Sequence, residues 1–366
     1  MRILYDHQVF SLQNAGGQSR YFYELAKFLT TIPDVRTEVW LGINGTVYPF
    51  CGLAPSKTRV RCLPEWLEPG TARYVANELW SSAKAVLHPG LDVYHATHLM
   101  RMPMVRARRV IATHHDCTHE RFPELFPDVK KIFWARKRLF PSVDAIICVS
   151  ESCRQDLLQF YHVDPAKAVV IHHGLAPLPR STEARAQLLS RVRRDYLLYV
   201  GMRAAFKNFH GLVQAFRDCR LQDEFDLLVL GGGPLTADEK SMISKLELDG
   251  RIVSVPRVCD EFLAEAYAGA RLLVYPSFNE GFGFPPLEAM SLDCPVLASR
   301  LSCILETCDD APFYFDPTDQ ESFVRELQRA TSDEDGRRRS ITRGRKIVSG
   351  YSWERCGQET LAVYRS

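Results

Sequence analysis

The chain has 366 residues, 46% of them hydrophobic and 25% charged, with 46 Lys and Arg against 44 Asp and Glu. That length implies two domains whose cores need no disulfide or metal staple, and the near-neutral balance argues against a dedicated nucleic-acid binder. No apolar run approaches the roughly 18 residues of a membrane span, the opening MRILYDHQVF lacks the apolar stretch of a secretion signal, and the 11 cysteines include no CxxC pair. The expectation is therefore a reduced, cytoplasmic protein.

In chain order, Met1–Tyr5 reads as a strand, followed by a polar loop over Ser11–Ser19 and a helix over Arg20–Leu29. Further strands are predicted at Val39–Leu41, Val93–His95, Val110–Thr113, Ala145–Val149 and Val169–Ile171, with helices at Thr71–Leu87, Lys130–Phe140 and Ser152–Tyr161. The stretch 175–194 holds Pro177, Pro179 and several charges and reads as a linker. A second alternation follows, with strands at Tyr196–Val200, Phe225–Leu230, Ile252–Val255, Leu272–Tyr275 and Pro295–Ala298. Helices are predicted between them at His210–Arg217 and Asp238–Leu246, and Trp353–Arg365 closes the chain. Such alternation indicates parallel sheets: an α/β chain of two doubly wound, Rossmann-like domains, 1–174 and 195–350. Ligand-binding residues belong in loops just after strands in such folds.

Three such loops stand out. Asn14-Ala15-Gly16-Gly17-Gln18-Ser19 lets a backbone approach a phosphate at a helix start, or is an ordinary turn with Ser19 as the cap. Its spacing is not GxGxxG, which leaves a nicotinamide cofactor unsupported. Gly201-Met202-Arg203-Ala204-Ala205-Phe206-Lys207-Asn208 sets two cations beside a strand end, as a diphosphate would require, or is a solvated loop. Asn279-Glu280-Gly281-Phe282-Gly283-Phe284-Pro285-Pro286-Leu287-Glu288 places two carboxylates eight residues apart around a Gly turn and a Pro-started helix.

This last segment resembles the E-x7-E signature of the retaining nucleotide-sugar glycosyltransferases of family 4, which have the GT-B fold. Other segments fit in order: Gly16-Gly17, Thr113-His114-His115-Asp116 with Phe122-Pro123-Glu124, Val149–Ser152, Val170–Gly174, and Tyr351-Ser352-Trp353-Glu354. The resemblance implies an interdomain cleft, an acceptor-side first domain against which helix 351–366 packs, and a donor-binding second domain. It implies Arg203 and Lys207 on the diphosphate, Glu280 on the sugar, Glu288 on the ribose and His115 near the anomeric carbon. Gly16, Gly17, Gly201, Asn208, Gly281, Phe282 and Gly283 would line the donor site. The wording of GMRAAFKN and the HD…PE segment is similar to that of mannosyl- and rhamnosyl-type members, which favours a GDP-sugar such as GDP-mannose over a UDP-sugar. A saccharide or polyprenyl-diphosphate-linked acceptor in surface-polysaccharide synthesis follows, with no cofactor. Pro256-Arg257 departs from the family pattern, which carries a Gly before the base-binding loop. Alternatives are an epimerase or phosphorylase on the same fold, or a non-catalytic sugar-nucleotide-binding subunit; the last tends to lose the cleft residues that are present here.

Two side readings remain. His95, His98, His114, His115 and His119 look clustered, but without HExxH or zinc-spaced Cys pairs no metal site is expected. Asp128–Phe140 mixes Lys130, Lys131, Arg136, Lys137 and Arg138 with Phe133 and Trp134, which suits either an anionic membrane surface or a solvated helix with a buried apolar face. Arg101, Arg106, Arg108 and Arg109 add to this basic surface, and residues 1–175 carry 21 basic against 16 acidic side chains.

Overall fold

The computed structural model describes residues 1–54, 57–86, 88–98, 105–126 and 129–366. Leu87, Arg101 and Asp128, which belong to stretches discussed above, lie outside the described residues. The chain forms two compact units: Met1–Gly174 with Ser352–Ser366, and Leu175–Tyr351.

The first unit is built on β1 (Arg2–Tyr5), β2 (Arg36–Ile43), β3 (Thr58–Leu63), β4 (Leu91–Ala96), β5 (Ala107–His114), β6 (Ala145–Cys148) and β7 (Ala168–Val170). They pair in parallel in the order β3-β2-β1-β4-β5-β6-β7. The order reverses between β1 and β4, so the loops leaving their carboxyl ends flank the crevice such a reversal creates. β1 and β6 are short apolar runs, buried from Ile3 to Tyr5 and from Ala145 to Cys148, as expected for strands covered on both faces. β3 was not foreseen: its Arg59 and Cys62 are exposed, the pattern of an edge strand with no apolar run.

The second unit carries β8 (Tyr196–Val200), β9 (Asp226–Leu230), β10 (Ile252–Val255), β11 (Leu272–Tyr275), β12 (Val296–Ser299) and β13 (Phe313–Phe315), all parallel, in the order β10-β9-β8-β11-β12-β13. Its reversal falls between β8 and β11. The stretch read as a linker corrects that reading in part, because Thr182–Leu189 is a helix and belongs to this unit. Ser181 caps it, Ala184 and Leu188 are its buried residues, and Arg180 grips Glu265 with two bonds of 2.6 and 2.9 Å. Two buried apolar positions in eight residues are too few to show as a periodic pattern.

The helix Trp353–Arg365 is the last element of the first unit. Ser352 caps it by accepting from the Arg355 N–H at 3.1 Å. Gly357 lies on the Phe28 ring and Gly174 against the backbone of Ser352 and Trp353, where any Cβ would overlap. Tyr364 Oη reaches Tyr5 Oη at 3.1 Å and His95 Nδ1 at 2.6 Å, and His95 Nε2 reaches Thr113 Oγ1 at 2.8 Å. Burial holds the His95 pKa down at about 3, so the ring is neutral. A neutral imidazole has one donor and one acceptor nitrogen, and each has a hydroxyl partner here.

Candidate active site

At the carboxyl end of β8 the chain turns through Gly201, with φ +137°, a left-handed value that favours glycine. A short 3₁₀ turn, Ala205–Lys207, then sets Lys207 at its end, and Asn208 at φ 53° starts the helix Phe209–Asp218. Lys207 Nζ donates to Glu280 Oε1 at 2.6 Å. Glu280 comes from the loop after β11, and Ser277 Oγ donates to the same oxygen at 2.6 Å. The two loops are stitched by Phe278 N–H to Phe206 C=O at 2.7 Å. The ammonium also lies over the Phe206 and Tyr275 rings, at 5.3 and 5.8 Å. Both charged side chains keep some solvent contact, 18% for Lys207 and 11% for Glu280, so a ligand can reach them.

Past Glu280 and Gly281, the Phe282 ring is buried against Phe284 and Tyr351. Gly283, at φ 95°, caps the helix Phe284–Ser291, and a Cβ there would strike Ile304. Glu288 is buried on that helix and accepts from Tyr267 Oη at 3.0 Å. Lys207 and Glu280 are thus brought into contact, while the Arg203 guanidinium reaches Glu239 Oε1 at 2.8 Å and the carbonyls of the Gly231–Pro234 turn.

In the first unit, Gly16 caps the helix Gly17–Leu29, which corrects the reading of Ser19 as the cap; Ser19 Oγ instead donates back to the Gly16 carbonyl at 3.2 Å. Tyr48 Oη donates to the Gly16 carbonyl at 3.1 Å. Arg73, wholly buried, secures the preceding turn through Asn14 Oδ1 at 2.7 Å and Glu65 Oε1 at 2.6 Å. His115, just after β5, stacks on His173 with centroids 5.6 Å apart and meets the edge of Tyr21. Its Nε2 is buried without a hydrogen-bond partner. Burial holds its pKa down at about 4, with Asp116 opposing and Arg136 reinforcing. Burial disfavours the Asp116 carboxylate, but hydrogen bonds from Thr118 and the Arg136 charge outweigh it and hold the pKa at about 2.

The helix Val129–Leu139 splits the five basic residues. Lys130, Lys131 and Arg138 are exposed, Lys137 leans over the Phe133 and Trp134 rings, and Trp134 is 66% exposed. Arg136 corrects the surface reading: it points into the unit, buried, and donates to Glu120 Oε1 at 3.0 Å, where the Tyr161 hydroxyl also binds. At helical spacing this position falls on the inward face.

A family model described as Glycosyltransferase Family 4 matches residues 15–177, and one described as Glycosyl transferases group 1 matches residues 180–347. The chain is a glycosyltransferase of the family 4 type. Its sequence is 29% identical to O-antigen chain mannosyltransferase B of Escherichia coli over 71% of each chain. It is 25% identical to O-antigen chain mannosyltransferase RfbU of Salmonella typhimurium, over 76% of this chain and 75% of that one. In structure it matches WaaG, a glycosyltransferase involved in lipopolysaccharide biosynthesis, with a TM-score of 0.78 at 16% identity over 100% of this chain and 99% of that one. The fold of this glycosyltransferase is accordingly GT-B.

Among the described residues of the glycosyltransferase, no helix is long and apolar enough to cross a membrane, and no group of three His, Cys, Asp or Glu is placed to hold a metal ion. Sequence reading missed Ser277 and Glu239, the partners of Glu280 and Arg203. Glu239 had a readable signal, since Thr236-x-x-Glu239 is a capping-box spacing and forms one, with Thr236 N–H donating to Glu239 Oε2 at 2.7 Å. Ser277 had none.

Proposed function

We propose that this glycosyltransferase transfers a hexose from a nucleoside-diphosphate sugar, GDP-mannose or a related GDP-sugar, to a saccharide or polyprenyl-diphosphate-linked acceptor of a surface polysaccharide, with retention and without a metal. The observation that carries the reading is the Lys207–Glu280 pair at the carboxyl edge of the second sheet, 2.6 Å apart and open to a ligand. The two O-antigen mannosyltransferase relatives support the choice of sugar and pathway class.

The chemistry asks little of the protein. As the bond between the anomeric carbon and the diphosphate breaks, negative charge grows on the β-phosphate, and Lys207 moves from Glu280 to neutralise it. Glu280, relieved of its cation, accepts from hydroxyls of the sugar. The acceptor oxygen bonds to the anomeric carbon on the face the phosphate leaves, and its proton passes to the leaving phosphate, so no protein nucleophile is consumed. A donor screen of GDP-, UDP- and TDP-sugars, scored by nucleoside-diphosphate release with and without EDTA and by NMR of the anomeric configuration, tests donor, metal independence and retention together.

Glu280→Gln should impair use of the donor sugar more than binding of free GDP, because the lost contact is to the sugar. Equal losses in both would place Glu280 on the nucleotide instead.

The basic helix separates into two roles under the same reading. Replacing Lys130, Lys131 and Arg138 with Gln should reduce co-sedimentation with anionic vesicles at low salt, since each basic residue near such a surface contributes about 1 kcal/mol. Turnover of a short water-soluble acceptor should hold. Arg136→Gln should instead lower the melting transition by removing the cation from buried Glu120, a loss of about 3–5 kcal/mol for a broken buried pair, with vesicle binding of the folded protein retained.

A further inference from the structure

Protein donors of two kinds converge on the Glu280 carboxylate. Lys207 Nζ and Ser277 Oγ both reach Oε1, each at 2.6 Å. The Tyr275 hydroxyl, from the last residue of β11, hydrogen-bonds the same carboxylate. Burial and the neighbouring Glu280 charge push that hydroxyl well above its usual range, so it stays protonated and donates. The two hydroxyl donors are the hidden ones: Ser277 is 1% and Tyr275 3% exposed, against 18% for the Lys207 side chain. The backbone between them is held as well, by Phe278 N–H to Phe206 C=O at 2.7 Å and by Cys303 Sγ to Glu280 C=O at 3.2 Å.

These donors differ in what they are free to do. Lys207 carries its charge on a flexible stem and, in the reading above, is called to the β-phosphate. Ser277 and Tyr275 are neutral, and β11 and the turn after it fix them in place. With Lys207 as the sole partner, its departure would strand a largely buried carboxylate, and such a group recaptures its cation rather than release it. A carboxylate offers about four acceptor positions, so two hydroxyls leave about two of them open to the sugar once the ammonium has gone.

We propose that Ser277 and Tyr275 are positioning residues for sugar transfer: their hydroxyls hold the Glu280 carboxylate when Lys207 leaves it for the diphosphate. One anion then serves first as the counter-ion of the lysine and afterwards as the acceptor for sugar hydroxyls. This rests on the donor-binding reading above and adds two residues to it. Both act through Glu280 rather than on the reacting atoms.

Ser277→Ala and Tyr275→Phe each remove one hydroxyl, the second with the ring kept. Both are made in the wild-type chain and again in Glu280→Gln. The readouts are kcat and KM on the donor found by the screen, calorimetric affinity for the nucleoside diphosphate which that donor releases, and a thermal melt. In the wild-type chain each substitution should lower kcat by about tenfold, the usual cost of a lost hydrogen bond to a charged group, with nucleoside-diphosphate affinity within about twofold. In Glu280→Gln the same substitutions should lower kcat by less than about a further twofold, because residues acting through Glu280 have nothing left to act on. Equal losses in the two backgrounds would overturn the proposal and make the hydroxyls packing elements of the turn. So would a kcat left unchanged by both substitutions, or a nucleoside-diphosphate affinity that falls as far as kcat. Should Ser277→Ala not fold, Tyr275→Phe decides alone. A wild-type chain that releases nucleoside diphosphate from no donor in the screen overturns the donor reading itself, whereas wild-type turnover with equal losses in both backgrounds overturns only the role of the two hydroxyls.

Discussion

Acidification from pH 7.5 to 5.0 is expected to unfold the first unit while the second remains folded. Burial holds His95 and His98 at about 3 and His115 at about 4, and pushes His114 and His173 down as well. Arg136 reinforces the shift at His98, His114 and His115, and Asp116 opposes it. Because the folded values lie below the unfolded value of about 6.5, the stabilisation is complete above that pH. It is lost as the pH falls, since the unfolded chain takes up protons that the native one refuses. At pH 5.0 the loss is about 2 kcal/mol per group, and two such groups approach the whole stability of a marginal domain. The second unit holds only His210 of the 11 histidines. All five tryptophans, Trp40, Trp66, Trp80, Trp134 and Trp353, lie in the first unit, so their emission reports on it alone, while far-ultraviolet circular dichroism reports on both. Emission should change at a higher pH than the ellipticity of the helices in the second unit. Coincident transitions, or steady emission down to pH 4.5, would contradict the expectation.

Lys207→Ala is expected to lower kcat by about 10²–10³-fold, the usual result of removing one group that meets transition-state charge. Melting should change little, because the side chain stands at a loop with part of its surface in solvent and Ser277 still donates to Glu280. Steady-state kinetics beside a thermal melt decide it. Turnover of half the wild-type value or more would remove Lys207 from the chemistry, and a large fall in melting temperature would make it a structural partner of Glu280.

The strands legible in the sequence were the apolar runs, whether wholly buried or, like Ile252–Val255, half-buried at a sheet edge. LLVY and YLLYV need no partner to be recognised, because an apolar run of that length between turn residues has few other uses. β3 and the three-residue β13 escaped because an edge strand with exposed Arg59, or a segment as short as FYF, does not carry the pattern. The site divided similarly. Their place just after strands, together with the family resemblance, marked Lys207 and Glu280 as donor-site candidates, and chain topology brings the two into contact. For Arg136, residue type suggested the wrong kind of partner, and for Arg203 it gave no hint of Glu239. Whether an arginine faces a ligand, a lipid or a buried glutamate depends on which carboxylates and carbonyls the fold gathers around it, and Glu239 and Glu120 lie 36 and 16 residues from their arginines.

The helix Trp353–Arg365 has a bearing on how the chain is made. It completes a unit begun by β1, and the Tyr5–Tyr364 contact joins residues 359 positions apart. The second unit, Leu175–Tyr351, is continuous in sequence and has all of its parts once those residues have left the ribosome. The first must wait, with its β1 and β4 interior open, for a helix synthesised after the whole of the other. Closing so long a loop is slow. During synthesis it is the earlier-made unit that matures later, and a stall between residues 351 and 364 would leave the hydroxyl-binding side of Tyr5 and His95 exposed to chaperones and proteases.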